Sequence, residues 1–167
     1  RLGDDLFERV LDPIQRKLSA FIERHGESVP IILVGHSNGA RMSGALEVWL
    51  RGVARNPVLV SAVAGPFLGT KVLNDIGGVC QMVEYICPEV IRELKYKSQM
   101  ARRLVAAMSA PTSLCRKYWF YAGRQDLQVQ PIESMTPKIN QGERSIVLDG
   151  YEHASIAMAV YEHQLRT

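Results

Sequence analysis

The residues best suited to chemistry are Ser37, Asp126 and His153. Ser37 sits in Gly35-His36-Ser37-Asn38-Gly39, a serine with a glycine two positions to either side. A serine hydroxyl attacks well only when it is exposed and paired with a base. The G-x-S-x-G spacing is that of a nucleophile elbow, a tight strand-to-helix turn that lifts the serine out of the sheet. Such a turn strains the serine's backbone and crowds the positions two residues away, so glycines at 35 and 39 are expected to relieve the crowding. The helix that follows points its N-terminus at the site, where the amide of Asn38 is placed to donate to a developing oxyanion.

A nucleophilic serine needs a base, and the base needs an orienting acid. Ser37, Asp126 and His153 each lie just past the carboxyl end of a predicted strand. In an open parallel sheet, loops at that edge converge in space. The chain order Ser, Asp, His is the one expected of this kind of elbow. Other candidates fit less well. His36 lies inside the elbow with its side chain expected to point away from Ser37. His25 ends a helix on the opposite edge, and His163 falls within the last helix, at a position expected to be exposed. Asp149 and Glu152 compete with Asp126 for the acid. Asp149 ends the strand that delivers His153, which suits a supporting partner, whereas Asp126 follows the preceding strand and can reach the imidazole from the side away from Ser37.

The elements that must position these groups follow from apolar patterning. Residues 2 to 25 carry Leu2, Leu6, Val10, Ile14, Leu18, Phe21 and Ile22 near helical spacing, with Pro13 as a kink or break and Gly26 as the C-cap. Ile31 to Val34 run without alternation, the pattern of a strand buried on both faces. Met42, Ala45, Leu46 and Trp49 mark one face of a helix reaching about Arg51. Pro57 to Val63, Lys117 to Ala122 and Ser145 to Leu148 predict three more strands, and Ala154 to Leu165 a closing helix. Residues 127 to 143 read as irregular. The order implies a parallel α/β sheet flanked by helices. Residues 66–112 interrupt the rhythm. They predict a helical cap insertion above the carboxyl edge of the sheet, with Val90, Leu94, Ala101, Leu104, Val105 and Met108 on its apolar face and Arg92, Lys95, Lys97, Arg102 and Arg103 around it.

Length and composition narrow the classes. The 167 residues fit a single domain, 1–167, large enough for a real core. A net charge of +3 argues against a nucleic-acid partner. No apolar run approaches the roughly 20 residues of a membrane span. Three irregularly spaced cysteines do not make a disulfide scaffold, and Cys80 and Cys87 read as free buried thiols rather than a pair. No Cys/His spacing suits a metal, and no cofactor is implied.

With these residues in hand, the chain resembles the α/β-hydrolase superfamily, and within it the lipase-like serine esterases. Gly-His-Ser-Asn-Gly at 35–39 resembles the lipase elbow. Ala64-Gly-Pro-Phe-Leu-Gly-Thr70 resembles the family's Gly-x-Pro-x-x-Gly-Ser/Thr loop. Glu93-Leu-Lys-Tyr-Lys-Ser98 with Leu104 resembles its cap segment. Gly123-x-x-Asp126-x-x-Val129 and Tyr151-Glu-His153-x-x-Ile156 resemble its acid and base loops. The family has several strands before the elbow, whereas here one helical segment precedes it. The chain is therefore expected to be the carboxyl-terminal part of the fold, within a longer chain or with its front lost. In the family an early loop donates the second oxyanion amide, and losing one such donor costs about 2.7–4 kcal/mol of transition-state stabilisation. The resemblance implies cleavage of carboxylic esters, with lipids as the expected class, by Ser37 as nucleophile, His153 as general base and Asp126 as its orienter. Peripheral membrane contact through the basic cap is a further expectation. The alternatives are a non-catalytic binding module on the same fold, and acyl transfer by the same residues.

Overall fold

The computed structural model describes residues 5–72, 93–134 and 143–166. Their elements run α1 (Asp5–His25), β1 (Ile31–His36), α2 (Asn38–Val53), β2 (Val58–Val63), α3 (Gln99–Ser109), β3 (Arg116–Gly123), α4 (Pro131–Ser134), β4 (Glu143–Leu148) and α5 (Ile156–Arg166). The four strands form one sheet in the order β1-β2-β3-β4. Every pairing is parallel, with Ile31 beside Val58, Val58 beside Arg116, and Tyr118 beside Glu143. All carboxyl ends therefore lie at one edge, and the loops after β1, β3 and β4 meet there.

Two clusters fill the two sides of the sheet. The larger joins Leu11 of α1, Leu46 and Leu50 of α2, and Leu104 and Met108 of α3 to Leu33, Val60 and Phe120 of the strands. Each fully buried leucine contributes about 1.5–3 kcal/mol relative to an exposed one. The smaller packs Ile156 and Val160 of α5 on Val63 and Tyr121.

Several sequence expectations change here. Pro13 neither breaks nor divides α1, which runs unbroken from Asp5 to His25. It lies on the exposed side, where a carbonyl deprived of its amide partner still meets water. The apolar run of β1 is buried on one face only. Ile31 and Leu33 face the core, whereas Ile32 and Val34 are 64% and 63% exposed. The reason is topological. Among the described residues β1 stands at the end of the sheet, and α5 makes its main strand contacts with β2 and β3. An uninterrupted apolar run thus reports composition, while the neighbours decide burial.

Helix α2 also buries more than the predicted stripe. Arg41, Ser43, Gly44 and Glu47 are as enclosed as Ala45 and Leu46, because the sheet lies beneath the helix and α1 and α3 flank it. Gly44 permits the closest approach: a Cβ there would lie 2.8 Å from the Met108 sulfur of α3. Of residues 66–112, expected as a cap, 73–92 lie outside the described residues, together with Cys80, Cys87 and Arg92. Of the described later part, 93–98 is tied to the loop after β2 at the carboxyl edge, the Thr70 N–H donating to the Leu94 carbonyl and the Lys97 N–H to that of Leu68. Helix α3 is the crossover between β2 and β3. It buries Met100, Ala101, Leu104 and Met108 in the main core and leaves Arg102 and Arg103 exposed. A parallel connection needs such a crossover, and the basic residues occupy its solvent side. Within the stretch read as irregular, Pro131–Ser134 form one helical turn.

Far from the elbow, α2 is anchored by charge. Glu47 is fully buried; it accepts from Arg51 at 2.7 and 2.9 Å, lies 3.0 Å from the Arg116 guanidinium of β3, and accepts from the Tyr118 hydroxyl. Arg51 also donates to the carbonyls of Ala107, Met108 and Ala110, fastening α2 to α3. Burial and the adjacent Glu47 carboxylate push the Tyr118 phenol well above its ordinary pKa.

Candidate active site

The turn after β1 is held by backbone geometry. Ser37 has φ 55° and ψ −126°, a conformation that side-chain-bearing residues rarely adopt. It costs on the order of 1–3 kcal/mol and persists only where its surroundings enforce it. The enforcement is visible. The Ser37 N–H donates to the Val63 carbonyl of β2 at 2.9 Å, and the Ala40 N–H donates back to the Ser37 carbonyl at 3.0 Å. Gly35 is required for space, since a Cβ there would lie 2.1 Å from the Gly39 carbonyl oxygen. Gly39 is not required in the same sense, because a Cβ on it would meet nothing within 4 Å. The expectation that both glycines relieve crowding is corrected: the clash runs from position 35 onto the backbone of 39.

The acid and base arrive on two loops that touch. Gly123, at the end of β3, lies so close to the loop after β4 that a Cβ would sit 2.3 Å from the Tyr151 carbonyl. Arg124 pairs with Asp149, and the Gln125 side chain accepts from the Gly150 N–H at 2.7 Å. Asp149 is thus committed to a surface pair with Arg124 and stands apart from the imidazole.

Asp126 is 1% exposed. One carboxylate oxygen accepts the N–H groups of Gln128 and Val129, both at 2.9 Å; the other lies 2.8 Å from His153 Nδ1. The opposite imidazole nitrogen, Nε2, is 2.9 Å from Ser37 Oγ. A carboxylate only accepts, so Nδ1 carries the proton and Nε2 is left to accept from the Ser37 hydroxyl. The three residues singled out in the sequence therefore meet in one line, Asp126 to His153 to Ser37. In that arrangement a hydroxyl proton can pass to an imidazole whose tautomer a buried carboxylate fixes.

Three contributors escaped the sequence reading. His36 packs its ring 4.8 Å from that of His153, and its Nε2 donates to the His153 carbonyl at 2.6 Å. The side chain neighbouring the nucleophile thereby supports the backbone of the residue carrying the imidazole. Glu133, buried, accepts the N–H groups of Lys71 and Gln130, both at 2.9 Å. With the 2.6 Å bond from Thr70 to the Gln128 carbonyl, it ties the loop after β2 to the Asp126 loop. Arg41, one turn into α2, donates to the Asn38 side chain at 3.3 Å and is 1% exposed. A histidine beside a serine or an arginine in a helix carries no sequence signal of such contacts.

Asn38 opens α2, so its amide is among the first N–H groups, which have no partner within the helix. A cavity of about 510 Å³ lined by Arg51, Arg55 and Thr112 lies at the opposite end of α2 and has no part in this arrangement. Among the described residues, no three His, Cys, Asp or Glu side chains converge as a metal site, and no helix is long and apolar enough to cross a membrane.

No known protein family and no curated protein matches the chain by sequence. Solved structures do. An α-β serine hydrolase homologue from Coxiella burnetii is 13% identical, with a TM-score of 0.55 over 98% of this chain and 59% of its own. The monoacylglycerol lipase of Paleococcus ferrophilus is also 13% identical, with a TM-score of 0.50 over 91% of this chain and 74% of its own. YbtT, a type II thioesterase from the yersiniabactin biosynthetic pathway, is 17% identical, with a TM-score of 0.52 over 96% of this chain and 72% of its own. This chain thus spans 59% of the length of the Coxiella structure. With an all-parallel sheet, helices on both faces and an elbow at the end of β1, it has the α/β-hydrolase fold.

Proposed function

We propose that the chain is a serine hydrolase of carboxylic esters, with Ser37 as nucleophile, His153 as general base and then acid, and Asp126 as the group that orients the imidazole. The observation that carries this reading is the unbroken hydrogen-bond line from Asp126 through His153 to Ser37 at 2.8 and 2.9 Å. Ser37 Oγ attacks the ester carbonyl carbon as its proton passes to His153 Nε2. The carbonyl oxygen takes the electron pair and faces the Asn38 N–H. Collapse breaks the bond to the alcohol, which leaves with the proton from His153. Water then repeats the sequence on the acyl-enzyme, returning Ser37 and releasing the acid.

Lipid esters are the proposed substrate class; the likeness to a monoacylglycerol lipase supports it. The exposed Arg102 and Arg103 of α3 are the proposed contact with an anionic lipid surface. Their charge would act at a distance from the elbow, and salt should weaken it beyond about 10 Å at 0.1 M.

A fluorophosphonate probe tests the assignment. It should label Ser37 in the full-length chain, and Ser37→Ala should remove both labelling and hydrolysis of a series of nitrophenyl esters of increasing acyl length. Equal labelling of the alanine variant would overturn the nucleophile. A flat dependence on acyl length would remove the lipid assignment.

A further inference from the structure

The buried guanidinium of Arg41 stands out among groups the proposed reaction does not use. Arg41 lies in the first turns of α2, at the positive end of the helix dipole, where a cation is unfavourable. It is also 1% exposed, and removing a charge from water is costly unless it is held by hydrogen bonds and opposite charge. Burial lowers its pKa to about 10, partly offset by the Glu93 carboxylate. Two unfavourable terms at one residue call for a compensating role.

Its contacts indicate where that role lies. Nη1 donates to Oδ1 of Asn38, the residue whose backbone amide would face the oxyanion, at 3.3 Å. Nη2 donates to the Glu93 carbonyl at 3.5 Å, and Ser98 Oγ donates to the same carbonyl at 2.7 Å. The 93–98 segment is in turn fixed to the loop after β2. Thr70 bridges Lys95, the Thr70 N–H donates to the Leu94 carbonyl, and the Lys97 N–H to that of Leu68. Arg41 therefore joins the nucleophile turn to a second, independently anchored piece of chain.

We infer that Arg41 is a positioning residue for the oxyanion turn, its guanidinium holding Asn38 against the 93–98 segment so that the Asn38 amide stays aimed at the reacting carbonyl. This rests on the serine hydrolase reading. The charge adds to the same end: a fixed cation one turn from Ser37 favours an anionic tetrahedral intermediate over a neutral ester, and preorganised charge in a water-poor site acts strongly. Both contributions grow as the oxygen becomes negative, so they belong to kcat rather than to substrate binding.

The experiment compares Arg41→Met, Arg41→Lys and Asn38→Ala in the full-length chain, with active sites counted by fluorophosphonate titration. Per titrated site, Arg41→Met should lower kcat about 10- to 100-fold, below the 10²–10³ of a deleted direct donor, with KM changed less than about threefold. Arg41→Lys keeps the charge but not the fork, and should fall about 3- to 10-fold. Asn38→Ala keeps the backbone amide and loses the tie; placed on Arg41→Met it should add little, since both remove one contact. An Arg41 that merely supports the fold would lower Tm and leave kcat per titrated site unchanged, and that result in Arg41→Met would overturn the inference. If Arg41→Met does not fold, unchanged kcat in Arg41→Lys and Asn38→Ala would overturn it as well. Failure of the unsubstituted chain to label at Ser37 would overturn the hydrolase reading, and this inference with it.

Discussion

The nucleophile turn and the loops that bring the acid and base reach the same edge of the sheet by different means. The turn after β1 is a matter of local backbone: Ser37 at positive φ, Gly35 against the Gly39 carbonyl, and α2 anchored at its far end by Glu47. Among the described residues, the loops after β3 and β4 hold no side-chain-bearing residue at positive φ, although Gly123 lies nearly as close to the Tyr151 carbonyl as Gly35 does to that of Gly39. They are held by contacts with each other, through Arg124 and Asp149, Gln125 and Gly150, Asp126 and His153, and by His36 reaching across from the elbow. A rigid, strained turn sets where the hydroxyl points. A sewn pair of loops sets where the imidazole lies. Damage to the backbone of the first should therefore act through stability, and damage to the polar contacts of the second through catalysis.

The largest contrast is expected from Asp126→Asn. The amide cannot hold the imidazole in the same tautomer, and kcat should fall on the order of 10⁴-fold with little change in Tm. Asp149→Asn should cost much less, since Asp149 meets Arg124 on the surface, where exposed pairs are worth about 0.2–1 kcal/mol. Steady-state kinetics on both variants check this, and a reversed order would make Asp149 the acid.

The elbow should answer in stability. Gly35→Ala forces a Cβ onto the Gly39 carbonyl, and the fixed backbone cannot yield cheaply. A loss of at least about 3 kcal/mol, at the upper end of overpacking costs, is expected in denaturant unfolding. Gly39→Ala meets open space and sits inside α2, so it should be neutral or stabilise by up to about 1 kcal/mol. Equal effects at 35 and 39 would mean that the clash is not what selects glycine.

His36 tests the seam between the two regions. His36→Phe keeps a ring near His153 but removes the bond to its carbonyl. A fall in kcat of about fivefold is expected, in line with a lost neutral hydrogen bond of about 1 kcal/mol, with Tm lowered slightly. A change in Tm alone would make His36 a packing residue only.

The anchor of α2 predicts a pH effect confined to alkaline conditions. The folded Tyr118 pKa is raised above the ordinary value of 10 by burial and Glu47. The unfolded chain then loses its phenolic proton first, so Tyr118 contributes fully below pH 10 and stability falls as pH rises beyond it. Thermal unfolding from pH 8 upward should show this fall, and Tyr118→Phe should flatten it.

How much of this was legible depended on the range of the interaction responsible. The four strands, the crossover after β1 and the closing helix follow from apolar runs and turn residues, because burial periodicity is a local property. The elbow was legible for the same reason, as a short turn with two glycines and a serine. Asp126 and His153 could be nominated because the parallel topology sends both loops to one edge, yet their distances from each other and from Ser37 came from packing. Residues 99–109 show the opposite case. Their basic amphipathic pattern suits a lid and a crossover helix equally, and only the structure shows Met100, Leu104 and Met108 of α3 buried in the main core.

The sequence by itself determined the fold class, the turn that carries Ser37 and the identity of three residues able to share a proton, since each depends on residue type and on neighbours a few positions away. Tertiary structure alone decided that β1 leaves Ile32 and Val34 uncovered, that His36 supports the backbone of His153, that Glu133 ties two loops, and that Arg41 is buried beside Asn38. These contacts join residues brought together by the sheet order and by helix packing. A polar side chain in a one-dimensional pattern reads as solvent-facing until the fold closes over it.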